Sequence, residues 1–260
     1  MCFSFQGPAI TKVENVSKRN FIHHDFVPAI KASAWPSIAR DWVSRPRPGD
    51  WPSVEVLQQC IATDCHVVPV GHRESPRHVK NKEWRLSFSG AEIVLANSLS
   101  HEQRQAVIVS KLILKVVLLD VLQRKPSLKC HKSVSSYELK TSFYWLREKR
   151  SDWGALSEDV RSILSALARS LHDRCLPDYF IPEKNLLKNA TSDLLTELCS
   201  ELQVVGTKRG LVHCLMKCFA YCYETELRDF DSLDGNSLRF LYSEIEKFHN
   251  SESPSDKMLM

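Results

Sequence analysis

The alternation of apolar and polar residues changes period part-way along the 260-residue chain, and that change organises everything else. Up to about residue 95 the text is rich in Pro and Trp and reads as mixed strand and helix. Residues 26–30 and 65–70 are short apolar runs that predict strands. Between them, Pro46-Arg47-Pro48-Gly49-Asp50 predicts a turn. Residues 53–61 predict a short amphipathic helix through Val54, Val56, Leu57 and Ile61. Residues 73–82 read as a polar, basic loop. The run Glu83-Trp84-Arg85-Leu86-Ser87-Phe88-Ser89 then alternates with period two. It predicts a strand with Trp84, Leu86 and Phe88 packed and Arg85, Ser87 and Ser89 on the other face.

From about residue 96 the period becomes helical. Residues 102–125 predict one long helix whose apolar surface is interrupted by Lys111 and Lys115, four apart and so on one side. Ser135 followed by Glu138 is a capping box, which places Ser136 and Tyr137 in the first turn of the next helix. Tyr137, Lys140, Thr141 and Tyr144 share one face of it. Residues 157–174 predict a helix with an Ile163, Leu164, Leu167 and Leu171 stripe. A Pro-bracketed connection follows, Leu176-Pro177-Asp178-Tyr179-Phe180-Ile181-Pro182-Glu183. Three further helices are predicted over residues 192–205, 211–228 and 237–249, and the polar last ten residues predict disorder. The resulting expectation is an α+β protein. Residues 1–95 form its mixed-sheet part, 96–190 a helical domain, and 191–260 a helical tail.

Composition narrows the class. Hydrophobic residues make up 43%, enough for a substantial core. Only eight glycines argue against glycine-rich phosphate loops and against an all-β fold with many tight turns. Nine cysteines, an odd number, and an opening Met1-Cys2-Phe3-Ser4-Phe5 without signal-peptide character predict reduced thiols in the cytoplasm or nucleus. The most apolar stretch, residues 106–122, carries Lys111, Lys115 and Asp120, so no membrane span is expected. The net charge of +4 suits an anionic small molecule as well as a nucleic acid. The nucleic-acid reading rests on Arg40, Arg45, Arg47, Arg73, Arg77, Lys80 and Lys82, for which a solvated basic surface is the plainer account.

Candidate chemistry concentrates at a few positions. Asp25 is a lone carboxylate in an apolar, strand-like segment. A buried unpaired charge costs roughly several kcal/mol, so it needs a metal, a salt bridge or solvent. Arg85 with the Ser87 and Ser89 hydroxyls suits a phosphate or a base edge, or an ordinary half-exposed strand. Lys111 and Lys115 can reach a bound anion or extend to solvent. The first turn at Ser136 and Tyr137 offers free N–H groups to a phosphate and a ring to a base, or is simply a capped helix with a packed tyrosine. Cys214, Cys218 and Cys222 recur every four residues, which reads as a buried helix face rather than a zinc site. Asp229-Phe230-Asp231 reads as solvated surface.

Several of these runs, taken together and in order, resemble the Mab-21-like family, which includes cyclic GMP-AMP synthase and the cGAS-like receptors. They are Asp25-Phe26-Val27-Pro28-Ala29-Ile30 with Trp35-Pro36, Trp51-Pro52-Ser53, Cys65-His66-Val67-Val68-Pro69-Val70-Gly71-His72, the strand from Glu83 to Ser89, and Tyr179-Phe180-Ile181-Pro182-Glu183. The resemblance implies a partial nucleotidyltransferase fold followed by a larger helical (HhH/H2TH-like) lobe. It also implies that active members join nucleoside triphosphates into cyclic dinucleotides, with Mg²⁺, after sensing double-stranded nucleic acid. By motif, Asp25 matches a catalytic metal-binding carboxylate and Arg85 a nucleotide-contacting arginine. Lys115 and Lys111 match a helix lysine that meets the triphosphate. Ser136 and Tyr137 match a serine–tyrosine pair at phosphate and base.

The departures are equally specific. The chain contains no Gly-Ser dipeptide, and Glu14 is the only acid before Asp25, so the Gly-Ser and Glu-x-Asp half of the site is missing. Residues 97–110 contain His101 and no cysteine, so no zinc insertion is expected. The expectation is a non-catalytic family member, or the C-terminal part of a longer one, that keeps a nucleotide-binding surface. Nucleoside triphosphate is the expected ligand and double-stranded nucleic acid a further expected partner. The alternative is a fragment of an active cGAS-like receptor.

Overall fold

A computed structural model of the chain describes residues 2–6, 9–17, 20–71, 75–80, 82–130, 134–224 and 243, with backbone alone over residues 2–25. The chain divides into two units, one of Met1–Arg45 with Pro52–Ser98 and one of Pro46–Trp51 with Leu99–Met260.

The first unit opens with an antiparallel sheet of β1 (Cys2–Gln6), β2 (Ala9–Ser17) and β3 (Asn20–Phe26), in that order. Then come β4 (Ile30–Lys31), α1 (Arg40–Ser44), α2 (Val54–Ala62), β5 (His66–Val68), α3 (Arg77–Lys80), β6 (Arg85–Ser87) and α4 (Ser89–Asn97). The strands β4, β5 and β6 make a second antiparallel sheet.

The predicted strand at residues 26–30 is thus split. Extension stops after Phe26 and resumes at Ile30, with Pro28, which has no N–H for a ladder, in the gap. The predicted basic loop contains the short helix α3, begun at Pro76, whose carbonyl accepts from the Val79 and Lys80 N–H groups. The alternating strand is shorter than its pattern. Phe88 leaves the extended region (φ −101°, ψ 25°) as the cap of α4, so Ser89 is helical. Helix therefore begins well before residue 96. Trp84 falls outside β6 and is 50% exposed, whereas Phe88 is 8% exposed, so only part of the expected face packs.

The core of this unit is built by Trp42, Ala39, Cys60, Cys65, Ala91 and Leu95, all fully buried. Trp35 stacks on Trp42 at 5.3 Å and leans on Phe88 at 5.2 Å, while its indole N–H donates to the Ala39 carbonyl. Ser53 caps α2 by accepting from the Val56 N–H, as the sequence pattern anticipates for a helix starting there. Helix α4 lies close against the end of α2. A Cβ at Gly90 would come within 2.9 Å of the Thr63 side chain. Asp64, just after α2, holds a left-handed backbone (φ 59°), which Asp tolerates better than most residues, and its carboxylate pairs with Lys31 at 2.5 Å.

The second unit is helical. It contains α5 (His101–Arg124), α6 (Ser136–Arg147), α7 (Leu156–His172), α8 (Ser192–Val205) and α9 (Lys208–Glu224). Helix α5 starts with a second capping box, Ser100 with Gln103, and buries eleven residues along its length. Helix α7 carries the expected stripe. Ile163, Leu164 and Leu167 are fully buried and Leu171 nearly so. At about 1.5–3 kcal/mol for each large apolar side chain, that stripe is sufficient to hold α7 in place among α5, α6 and α8. The connection after α7 is a packed turn. Asp178 accepts from the Phe180 and Ile181 N–H groups, and Tyr179 and Phe180 are 1% exposed. The predicted helix at 237–249 and the disordered last ten residues lie outside the described residues. The protein is α+β, a small antiparallel-sheet part followed by a mostly helical part.

Candidate functional site

Each candidate residue sits where its element places it. Asp25 is in β3 opposite Thr11, and its side chain lies outside what is described. Arg85 opens β6, paired with Val68, and is exposed. Both belong to the first unit, and the remaining candidates belong to the second.

In the second unit the first turn of α6 is built by its capping box. The Ser135 hydroxyl accepts from the Tyr137 N–H at 3.2 Å, and Glu138 returns to the Ser135 N–H at 2.8 Å. The carboxylate of Glu138 is therefore spent on the cap and is 3% exposed. Ser136 projects into solvent at N1, and Tyr137 follows at N2, half-buried. The Tyr137 hydroxyl donates to Asp178 Oδ2 at 3.2 Å, which fixes the far end of the ring. Lys140, one turn on, holds its ammonium 5.0 Å from the Tyr137 ring centre.

Lys111 on α5 completes the group. Although Lys111 is exposed overall, partial desolvation of its ammonium, followed by the like charge of Lys140, lowers its pKa. No carboxylate opposes that shift, and Lys111 makes no ion pair among the described residues. The Lys140 ammonium is thus held at the Tyr137 ring, beside the N–H groups of a helix start, and the charges of Lys111 and Lys140 act on each other. Such an arrangement favours a polyanion attached to a flat base.

Lys115 does not join them. Although it is only one turn from Lys111, its ammonium lies 5.5 Å over the ring of Tyr221 on α9. Sequence spacing places the two lysines on one side of α5, but different neighbours receive them. The sequence pattern puts Lys140 on the same face of α6 as Tyr137. Its i, i+3 relation to Tyr137 is the signal for it.

The basic cluster is not one surface. Arg47 is 7% exposed and its Nε donates to Glu148 Oε1 at 3.1 Å, so it is a structural cation. Arg73 and the side chain of Arg77 lie outside the described residues.

Metal binding finds no donor set here. Among the described residues no three His, Cys, Asp or Glu side chains are grouped to hold an ion, and the side chain of Asp25 is outside that description. Cys214 and Cys218 are buried on α9, the small apolar face expected for them. No helix among the described residues is long and apolar enough to cross a membrane.

Comparison with known proteins gives two family matches. The Mab-21 protein nucleotidyltransferase domain matches residues 2–98, and the Mab-21 protein HhH/H2TH-like domain matches residues 104–204. The chain is similar to a cyclic GMP-AMP synthase-like receptor of Nicrophorus vespilloides, 27% identical over 155 residues, which is 56% of this chain and 40% of that protein. It is also similar to a cyclic GMP-AMP synthase-like receptor of Magallana gigas, 26% identical over 214 residues, 76% of this chain and 33% of that protein. The chain therefore spans two-fifths or less of the length of these curated relatives.

Proposed function

Because this chain belongs to the Mab-21-like family of the nucleotidyltransferase superfamily, we propose that it acts as a nucleotide-binding module whose binding face lies at the start of α6. The observation that carries this reading is the Lys140 ammonium 5.0 Å from the Tyr137 ring centre at the start of α6, with Lys111 adding a second charge that Lys140 feels. Keeping two like charges close is unfavourable in the free protein, and a triphosphate reverses the sign of that interaction. The Tyr137 ring offers its face to a base, and Ser136 with the α6 N–H groups offers donors to a phosphate. Arg85, by its motif, is a further nucleotide-contact candidate on the first unit. Lys115 is assigned a secondary part, because Tyr221 engages it.

Binding without catalysis is the favoured form of this proposal. The residues named bind and orient a nucleotide, and no in-line displacement is derived from one candidate carboxylate. A second reading rests on the family resemblance. In it, the chain is part of a cGAS-like receptor that makes a cyclic dinucleotide from ATP and GTP when it meets double-stranded nucleic acid.

Calorimetric titration of the chain with ATP and GTP, with and without Mg²⁺, tests the first reading. Micromolar affinity that Lys111→Ala/Tyr137→Ala abolishes is the expected result. Absence of binding in all conditions overturns it. Mass spectrometry of a reaction with both triphosphates, Mg²⁺ and duplex RNA or DNA tests the second, and a cyclic dinucleotide product would replace the module reading by the enzymatic one.

A further inference from the structure

Away from the α6 start, the helical unit carries two hollows that meet at one side chain. The first, of about 320 Å³, lies along α6 and α7, with Trp145, Leu146, Leu176 and Pro177 in its lining. The second, of about 510 Å³, lies between α7 and α8 and is lined in part by Ser165, His172 and Gln203. Arg169 lines both. We propose that they form a continuous docking groove for a peptide that presents an acidic side chain beside an apolar one.

Charge is the first argument. Lys149 and Arg169 are exposed at the smaller hollow and neither makes an ion pair among the described residues. Some other exposed cations of these helices are matched. Arg161 pairs with Glu158, Arg124 with Glu201, Lys125 with Glu197, and Lys217 with Asp120. Lys149 and Arg169 thus stand open to a partner at one hollow, and an Asp or Glu side chain complements them.

The floor is the second argument. The Trp145 indole N–H donates to the Pro177 carbonyl at 2.9 Å, and its ring meets Tyr179 edge-on at 5.5 Å. Its position is set before any ligand arrives, which reduces the ordering cost of binding. Leu146, Leu176 and Pro177 make the rest of this surface apolar, suited to one aliphatic or aromatic side chain. Two cations over an apolar floor fit a peptide better than a nucleic acid, which calls for a longer basic stripe.

Panning a displayed library of random peptides of about twelve residues on the full chain tests the groove. The expected enrichment is Asp or Glu within two positions of Leu, Phe or Met. A fluorescent synthetic copy of the leading peptide should lose about tenfold or more in affinity on Arg169→Glu and on Lys149→Glu, as charged anchors do. Ala166→Trp, which fills the hollow without changing charge, should do the same. Should that variant misfold, the two exposed charge reversals still decide. Lys111→Ala/Tyr137→Ala should leave peptide binding intact, so failure here and failure of nucleotide binding are separable. The proposal is overturned by enrichment of other sequences, or by peptide affinity indifferent to Arg169 and Lys149. It is also overturned if duplex RNA displaces the peptide and itself loses affinity on Arg169→Glu, since the groove is then a nucleic-acid surface.

Discussion

Arg47 Nε meets Glu148 Oε1 at 3.1 Å, across 101 residues of sequence, with both side chains almost wholly buried. The Tyr179 hydroxyl donates to the same oxygen at 2.7 Å, and the Gly49 N–H donates to the Glu148 carbonyl at 2.9 Å. The strap Pro46–Trp51 is thereby tied to the helical unit, with Trp51 packed on Tyr144 and Tyr179. Removing one member of a buried ion pair strands the other. Arg47→Met is expected to cost about 3–5 kcal/mol in urea unfolding. The double variant Arg47→Met/Glu148→Leu should recover much of that loss, and equal loss in the single and double variants would sink this account.

Lys111 links stability to ligand. Its pKa is lowered in the folded chain by burial and by Lys140, so the unfolded chain binds that proton more readily. Stability is therefore reduced while Lys111 is charged, and rises as pH climbs from its depressed folded value to the ordinary lysine value. Lys111→Met should leave the chain at least as stable at neutral pH and should flatten that alkaline rise, while nucleotide affinity falls. Thermal melts across the alkaline range, run beside the titrations, check both halves.

Asp159 behaves in the opposite sense. It is fully buried, and burial raises its pKa against the opposing Gly154 N–H and Arg150. A carboxyl raised in the folded state contributes stability that is complete below its unfolded value and declines as pH rises through its folded value. Urea melts of wild type and Asp159→Asn should show wild type losing ground to the variant as pH climbs from the ordinary carboxylate range. A constant difference at every pH would refute this.

The hydroxyl and the ring of Tyr137 have separable roles. The hydroxyl holds Asp178, whereas the ring faces Lys140. Tyr137→Phe is expected to keep nucleotide affinity within about twofold, and Tyr137→Ala to lose about 1–3 kcal/mol, the usual worth of stacking a base. Loss of affinity in Tyr137→Phe equal to that in Tyr137→Ala would mean the ring does not stack.

Ser135→Ala removes the hydroxyl that accepts from the first turn of α6. The expected cost is about 1 kcal/mol, with faster amide exchange confined to the start of that helix. Uniform exchange changes across the helical unit would contradict a local cap.

The features legible in the chain are those settled within a turn or two of sequence. The Ser135 and Glu138 box, the stripe on α7, the Ser53 cap and the limits of α8 depend on residues three or four apart, so the helices were readable in advance. The α+β class and the family followed from runs of the same short range. What needed the folded chain is of long range or lies at an end. The alternation from Glu83 to Ser89 could not announce that Phe88 caps a helix or that Trp84 stays exposed, because strand length is set by available neighbours. Identical spacing made Lys111 and Lys115 look alike, but packing gave one to Lys140 and the other to Tyr221. Arg47 read as a surface cation until burial paired it with Glu148. Local pattern sets which residues share a face. Only the packing of distant elements decides what that face meets, and therefore which charges are neutralised and which remain open to a ligand.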